Sequence, residues 1–326
     1  MGAARLIART AGRPFSFDWS DSMTLRQTEH SSMGAPVLGL GAVLLWGLTP
    51  AATELAVRTA EPLVVGALRS ILAAPFLALL LIWLKQRPPS DVRGWGLATL
   101  AGLGGFVGFP VLFSFGLNAT STAHAALIIA AAPIVTGLIG FATRRNWPRR
   151  TWWAGAGLAF FGVALLIAGQ DALGQSESRA SSLLGDLLCV AAMIAAAGGY
   201  VAGGRLSSDV GGWAAMSWSL IVASIILLPI LLASLTDPIE TLSIVLGEPE
   251  SLWPILFLTF GGTALGYALW FRALEVGGVA KIAPIQFTQP LISLIVAVLA
   301  LKEELSIDVF IATGLILAGV AVTRRA

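Results

Sequence analysis

From Leu38 onward the chain is a succession of long apolar runs, broken by a few charged or turn-forming residues and nowhere alternating apolar with polar side chains. About 20 apolar residues in an α-helix rise about 30 Å, the thickness of a bilayer's hydrocarbon core, whereas lipid-facing barrel strands would alternate every second residue. In hydrocarbon each backbone amide has to be satisfied within its own segment, which leaves helices for runs of this kind. The runs fall at 38–57, 63–84, 95–117, 123–142, 152–169, 183–204, 213–235, 252–272, 279–300 and 308–323, and they predict an all-α polytopic membrane protein with ten transmembrane helices. Composition excludes a soluble protein: of 326 residues 56% are hydrophobic and 12% charged, against roughly 25% charged in soluble domains.

The scarce charge is ordered along the chain. With the N-terminus inside, sixteen of the twenty Lys and Arg residues fall in internal segments. Arg58, Arg179 and Lys302 are external, and Arg69 lies inside the second run. The longest external segment, 236–251, holds Asp237, Glu240, Glu248 and Glu250 and no cation. This positive-inside bias predicts cytoplasmic N- and C-termini in a bacterial-type inner membrane. Residues 1–33 are polar, lack the apolar core of a signal peptide and read as a cytoplasmic tail, with Met1, Met23 and Met33 as alternative starts. Trp83, Trp95, Trp147, Trp152, Trp153, Trp213, Trp253 and Trp270 sit at or near run ends, where indole rings anchor at headgroups. Trp46 lies eight residues into the first run, about 12 Å deep.

Other chemistries find little support. Cys189 is the single cysteine, and His30 and His124 are the two histidines, so no disulfide or Cys/His metal cluster is implied, and no cofactor. A net charge of +2 gives no reason to expect nucleic acid. The Gly102–Gly105 segment has no following Lys-Ser/Thr, so no nucleotide site or ATPase subunit is implied. No His-Glu-x-x-His, paired intramembrane aspartates or Gly-x-Ser-x-Gly occurs, which speaks against an intramembrane enzyme.

Shifting the sequence against itself by 157 residues places Gly104-Gly105 on Gly261-Gly262, Leu112 on Leu269, Leu117 on Leu274, Ala123 on Ala280 and Pro133 on Pro290. The same register aligns Gly157-Leu158 with Gly314-Leu315 and Gly162-Val163-Ala164 with Gly319-Val320-Ala321. Runs three to five therefore repeat as runs eight to ten. Five helices per copy is an odd number, so the second copy enters from the opposite face, the inverted-repeat plan of secondary transporters. The expected organisation is a tail (1–33), a first repeat (34–170), an external linker (171–181) and a second repeat (182–326).

The stretch from Ala273 to Arg325, with its central-proline helix, the Glu303-Glu304-Leu305 turn and a Gly314-Leu315-Ile316-Leu317-Ala318-Gly319-Val320 helix, resembles the end of an EamA domain. Trp46-Gly47, Arg69 and the Pro133 helix carry the resemblance into the first half. It covers residues 34–326 and implies the drug/metabolite transporter superfamily, whose members are typically exporters of amino acids, other metabolites or drugs, with some importers. Where the second copy has Lys302-Glu303-Glu304-Leu305 the first has Arg145-Asn146-Trp147-Pro148, a departure read as topological.

The expected function is a secondary transporter of a small-molecule solute, with amino acids, hydrophobic or aromatic ones included, as leading cargo and drug efflux as the alternative. Proton coupling and facilitated diffusion are equally compatible with the sequence. Trp46, Tyr200, Tyr267, Trp270, Gln286 and Gln289 are candidate substrate contacts, packing and interfacial anchoring being the competing explanation. Gln286, Gln289 and Ser293 share a face with Pro290, and their counterparts Ile129, Ala132 and Thr136 are mostly apolar, which predicts a cavity with one polar and one apolar wall. Pro133 and Pro290 are candidate hinges. Glu54, Arg69, His124 and Lys281 are candidates for gating or coupling. Arg69 suits either a salt bridge or a carboxylate-binding cation, Lys281 suits snorkelling, and Asp186 is expected at the interface.

Overall fold

The computed structural model describes residues 34–144, 148–168, 182–277 and 282–324. The expected tail, the linker, Lys281 and the Arg145-Asn146-Trp147 turn lie outside these residues. The helices are α1 (Gly34–Val57), α2 (Pro62–Trp83), α3 (Val92–Leu117), α4 (122–144), α5 (Arg150–Ala168), α6 (Leu183–Val210), α7 (Gly212–Ser234), α8 (Pro238–Gly247), α9 (249–277), α10 (Gln289–Leu301) and α11 (Ile307–Arg324). No strand occurs among the described residues. α1 to α4, α6, α7 and the 249–270 part of α9 are each long and apolar enough to cross a membrane, and α10 and α11 are shorter apolar helices. Their outward surface is apolar: Leu79 is 68% exposed and Leu299 75%, an arrangement suited to lipid rather than water.

Local chemistry sets the ends. Asp91, Ser121 and Ser182 cap α3, α4 and α6 by accepting hydrogen bonds from the amides of Gly94 (2.7 Å), His124 (3.2 Å) and Gly185 (3.0 Å). α6 continues to Val210, six residues past its apolar run, and the chain turns into α7 at Gly211, whose φ of 86° suits glycine. Within the segment expected to be a loop, Asp237 caps the ten-residue α8, which buries Val245.

Proline shapes the helix interiors. Pro110 has no amide to donate to the Phe106 carbonyl, and Ser70 Oγ donates to it instead at 2.9 Å, beside a π-turn at Leu103–Gly108. α4 breaks at Ala131, two residues before Pro133. α10 is led in by a 3₁₀ turn, Ala283–Thr288, that ends next to Pro290.

α1 packs on α9 and α10, α6 packs on α3 and α4, α7 crosses α2, and α5 lies along α11. Small residues permit the closest crossings. A Cβ on Gly104 would sit 2.7 Å from the Gly199 amide nitrogen, joining α3 to α6. One on Gly319 would sit 2.5 Å from both Ala159 N and Gly155 O, joining α11 to α5.

Three expected surface positions are corrected. Asp186 is fully buried, held by Thr120 and His124, because a carboxylate removed from water needs hydrogen-bonding partners and finds them on α4 and the turn before it. Trp152 and Trp270 are buried rather than anchored at an interface: Trp152 packs edge-on against Phe141, and Trp270 packs against Trp46. Trp83 and Trp253 do face outward.

Candidate functional site

A cavity of about 540 Å³ lies among α1, α4, α9 and α10, within the range of small-molecule sites. Trp46, Tyr200, Tyr267, Trp270, Gln286 and Gln289 all line it, as do Arg69, Pro133 and Pro290 from the gating set. Glu54 and His124 do not.

Its aromatic corner is built on Trp46. The indole Nε1 donates to Gly262 O at 2.9 Å, and the ring lies 5.1 Å from that of Tyr267 and 5.4 Å from that of Trp270. The receiving carbonyl lies in a second π-turn, Phe257–Leu265, where widened backbone leaves carbonyls to side chains; Thr263 Oγ1 likewise donates to Leu258 O at 2.8 Å. A Cβ on Gly266 would come within 2.7 Å of Trp46 Nε1, and one on Gly262 within 3.1 Å of Thr49 Oγ1. The absence of a side chain at Gly266 gives the indole its place.

The opposing walls come from α4 and α10. Ile129, Ala132 and Thr136 line one side; Gln286, Gln289 and Ser293 line the other. In the 3₁₀ turn residues three apart eclipse, so Gln286 and Gln289 stay on one face although the α-helix starts only at Gln289. Ser293 Oγ donates to Gly47 O at 2.9 Å, tying α10 to α1, and Thr136 Oγ1 donates to Ala132 O at 2.9 Å. The two glutamines therefore carry the polarity of the α10 wall.

The cavity extends to Trp152 and Thr323, near the start of α5 and the end of α11. The other end of these walls is tied together. Glu303, in the turn between α10 and α11, accepts hydrogen bonds from the amides of Thr122 (2.8 Å) and Ala123 (3.0 Å) at the start of α4. Close by in the chain, Thr120 Oγ1 donates to Asp186 Oδ1 at 2.5 Å, His124 Nδ1 lies 3.1 Å from Asp186 Oδ2, and Ser182 N donates to Ala119 O. Sequence reading took the Glu303 turn as a topological difference. Its signal was an acidic turn able to meet a serine-capped helix N-terminus, where backbone amides and the helix dipole both favour a carboxylate.

Glu54 Oε1 accepts from Arg58 Nε at 3.2 Å, an i,i+4 pair at the end of α1. Arg69 is buried, with Nη2 at 3.4 Å from Thr263 Oγ1, while Tyr200 and Tyr267 hydrogen-bond to each other nearby.

An apolar helical bundle enclosing a solute-sized cavity suits a membrane transporter. Comparison with known proteins gives the family: residues 33–168 and again 183–325 match the EamA-like transporter family, and the chain belongs to it, with two EamA repeats. Similar proteins include the uncharacterized transporter YdeK of Bacillus subtilis, 27% identical over 88% of this chain and 95% of that protein. A probable amino-acid metabolite efflux pump of Escherichia coli is 29% identical over 87% of this chain and 92% of that protein. A protein of the same description from Salmonella typhimurium is 28% identical over 86% and 89%. One crystal structure shares the fold with a TM-score of 0.61 at 20% identity, covering 90% of this chain and 99% of that one. The chain is thus a multi-pass membrane protein of a transporter family.

Proposed function

We propose that the protein is a secondary transporter that moves a small metabolite across a bacterial-type inner membrane by alternating access, exporting amino acids with apolar or aromatic side chains. The observation that carries this reading is the cavity between α4 and α10, equivalent helices of the two repeats, with one apolar wall and one wall bearing Gln286 and Gln289. An amphipathic solute fits such a cavity, and two curated relatives are named as amino-acid metabolite efflux pumps.

In this reading the chain crosses the membrane ten times, as two inverted five-helix units with both termini cytoplasmic. Reciprocal packing supports the inversion, since α1 contacts α9 and α10 as α6 contacts α3 and α4. The positions Leu103–Gly108 and Phe257–Leu265, both π-turns, overlap under the 157-residue shift, which supports it further. The end tied by Glu303 is then external and the end reached at Trp152 and Thr323 internal, so the state described is inward-facing. Opening the external end requires Glu303 to leave α4, and Pro133 and Pro290 give both walls a place to bend. Energy comes from solute or ion gradients.

The test is flux of a panel of radiolabelled amino acids into proteoliposomes, with and without an imposed pH gradient. Saturable flux of an apolar or aromatic member is expected. Absence of flux for every amino acid would refute the cargo, and flux indifferent to the pH gradient would refute proton coupling.

A further inference from the structure

We infer that the cavity selects solutes by a carboxylate group, with Arg69 as its anchor, and discriminates against cations. The inference rests on the transport reading of this cavity and narrows it to a ligand charge. Arg69 is 7% exposed and lines the cavity. An arginine keeps its charge at any physiological pH, and a buried charge is ordinarily paired. Among the described residues its hydrogen-bond contact is one long approach, 3.4 Å, to the neutral Thr263 hydroxyl. No carboxylate pairs with it among the described residues: Glu54, the acid on the neighbouring helix, is engaged by Arg58, and Asp186 by Thr120 and His124.

The rest of the lining points the same way. Among the described residues around the cavity none is acidic, so a cationic solute would enter a site with a fixed positive charge and nothing to offset it. Tyr200 and Tyr267 line the same cavity as Arg69 and hydrogen-bond to each other, which leaves one hydroxyl proton to donate to a carboxylate oxygen. Trp46 and Trp270 pack at the same corner and offer faces for an apolar or aromatic body. A planar guanidinium binds a carboxylate through two parallel hydrogen bonds, which fixes orientation as well as charge. The ligand that completes this site is an amphipathic carboxylate, and an ammonium group on it is dispensable.

The test uses the full-length protein purified in detergent and four probes of one size: phenylalanine, 3-phenylpropanoate, phenylalaninamide and phenethylamine. Binding is read by equilibrium dialysis of radiolabelled probe and by the shift in melting temperature. Phenylalanine and 3-phenylpropanoate are expected to bind, and the two compounds without a carboxylate to bind at least about tenfold more weakly, the scale of a lost hydrogen bond to a charged group. Arg69→Gln is expected to erase that preference and Arg69→Lys to retain part of it. The melting temperature of each ligand-free variant establishes that it is folded. Equal or tighter binding of phenethylamine, an unchanged preference in Arg69→Gln, or no binding of either carboxylate at millimolar concentration would each overturn the inference. Carboxylate-selective binding without flux in proteoliposomes would leave this inference standing and overturn the transport reading instead.

Discussion

Replacing Glu303 with alanine removes two hydrogen bonds that join the α10–α11 turn to α4, of 2.8 Å and 3.0 Å. Both end on one half-buried carboxylate. The low end of the range for hydrogen bonds to charged groups, about 1.5 to 2 kcal/mol for the pair together, is therefore the appropriate figure. If the contact exists only while this end is closed, its loss moves the equilibrium toward the open form by about 10- to 30-fold. The assay is the rate at which a membrane-impermeant maleimide, applied to the side bearing this turn, labels a cysteine placed at Ala130 in the cavity wall. Cys189 is buried and contributes little background. Glu303→Ala should raise the labelling rate by the stated factor, Glu303→Gln by less because an acceptor remains, and Glu304→Ala, at an exposed position, not at all. A rate within twofold of the parent, or an equal rise in the Glu304 control, would refute Glu303 as a latch.

Other outcomes follow from the same geometry. Gly319→Leu places side-chain atoms where backbone already lies 2.5 Å from a Cβ, and should cost about 3 kcal/mol through overpacking, read as a lower melting temperature. Asp186→Ala deprives the buried Thr120 hydroxyl of its acceptor and should lower stability by about 1 to 3 kcal/mol, also by thermal melt; no change would refute a structural role for the cluster. Trp46→Ala and Gln286→Ala should alter substrate competition in flux assays more than they alter protein yield, and a matched loss of yield would mean that both residues serve packing.

The helices were legible because length and apolarity alone decide whether a segment spans hydrocarbon, and the two prolines were legible because a missing amide perturbs any helix. The cavity walls followed from the repeat register, which pairs Ile129, Ala132 and Thr136 with Gln286, Gln289 and Ser293. What stayed hidden depends on contacts distant in the chain. Asp186 meets His124 across 62 residues and Glu303 meets Thr122 across 181, and the local sequence does not say which distant group either carboxylate meets. α8 was hidden for a different reason: ten residues are too few for a periodic apolar signal. Trp152 and Trp270 look like interfacial residues by position, and only neighbouring helices bury them.

Alternating presentation of one cavity to the two sides of the membrane is tested by counterflow. Proteoliposomes are loaded with an excess of the unlabelled solute that shows saturable flux, and are diluted into a trace of the same solute carrying a radiolabel. Alternating access predicts transient accumulation of label inside above its equilibrium level. Label that rises monotonically to equilibrium, with no overshoot at any internal concentration, would contradict it.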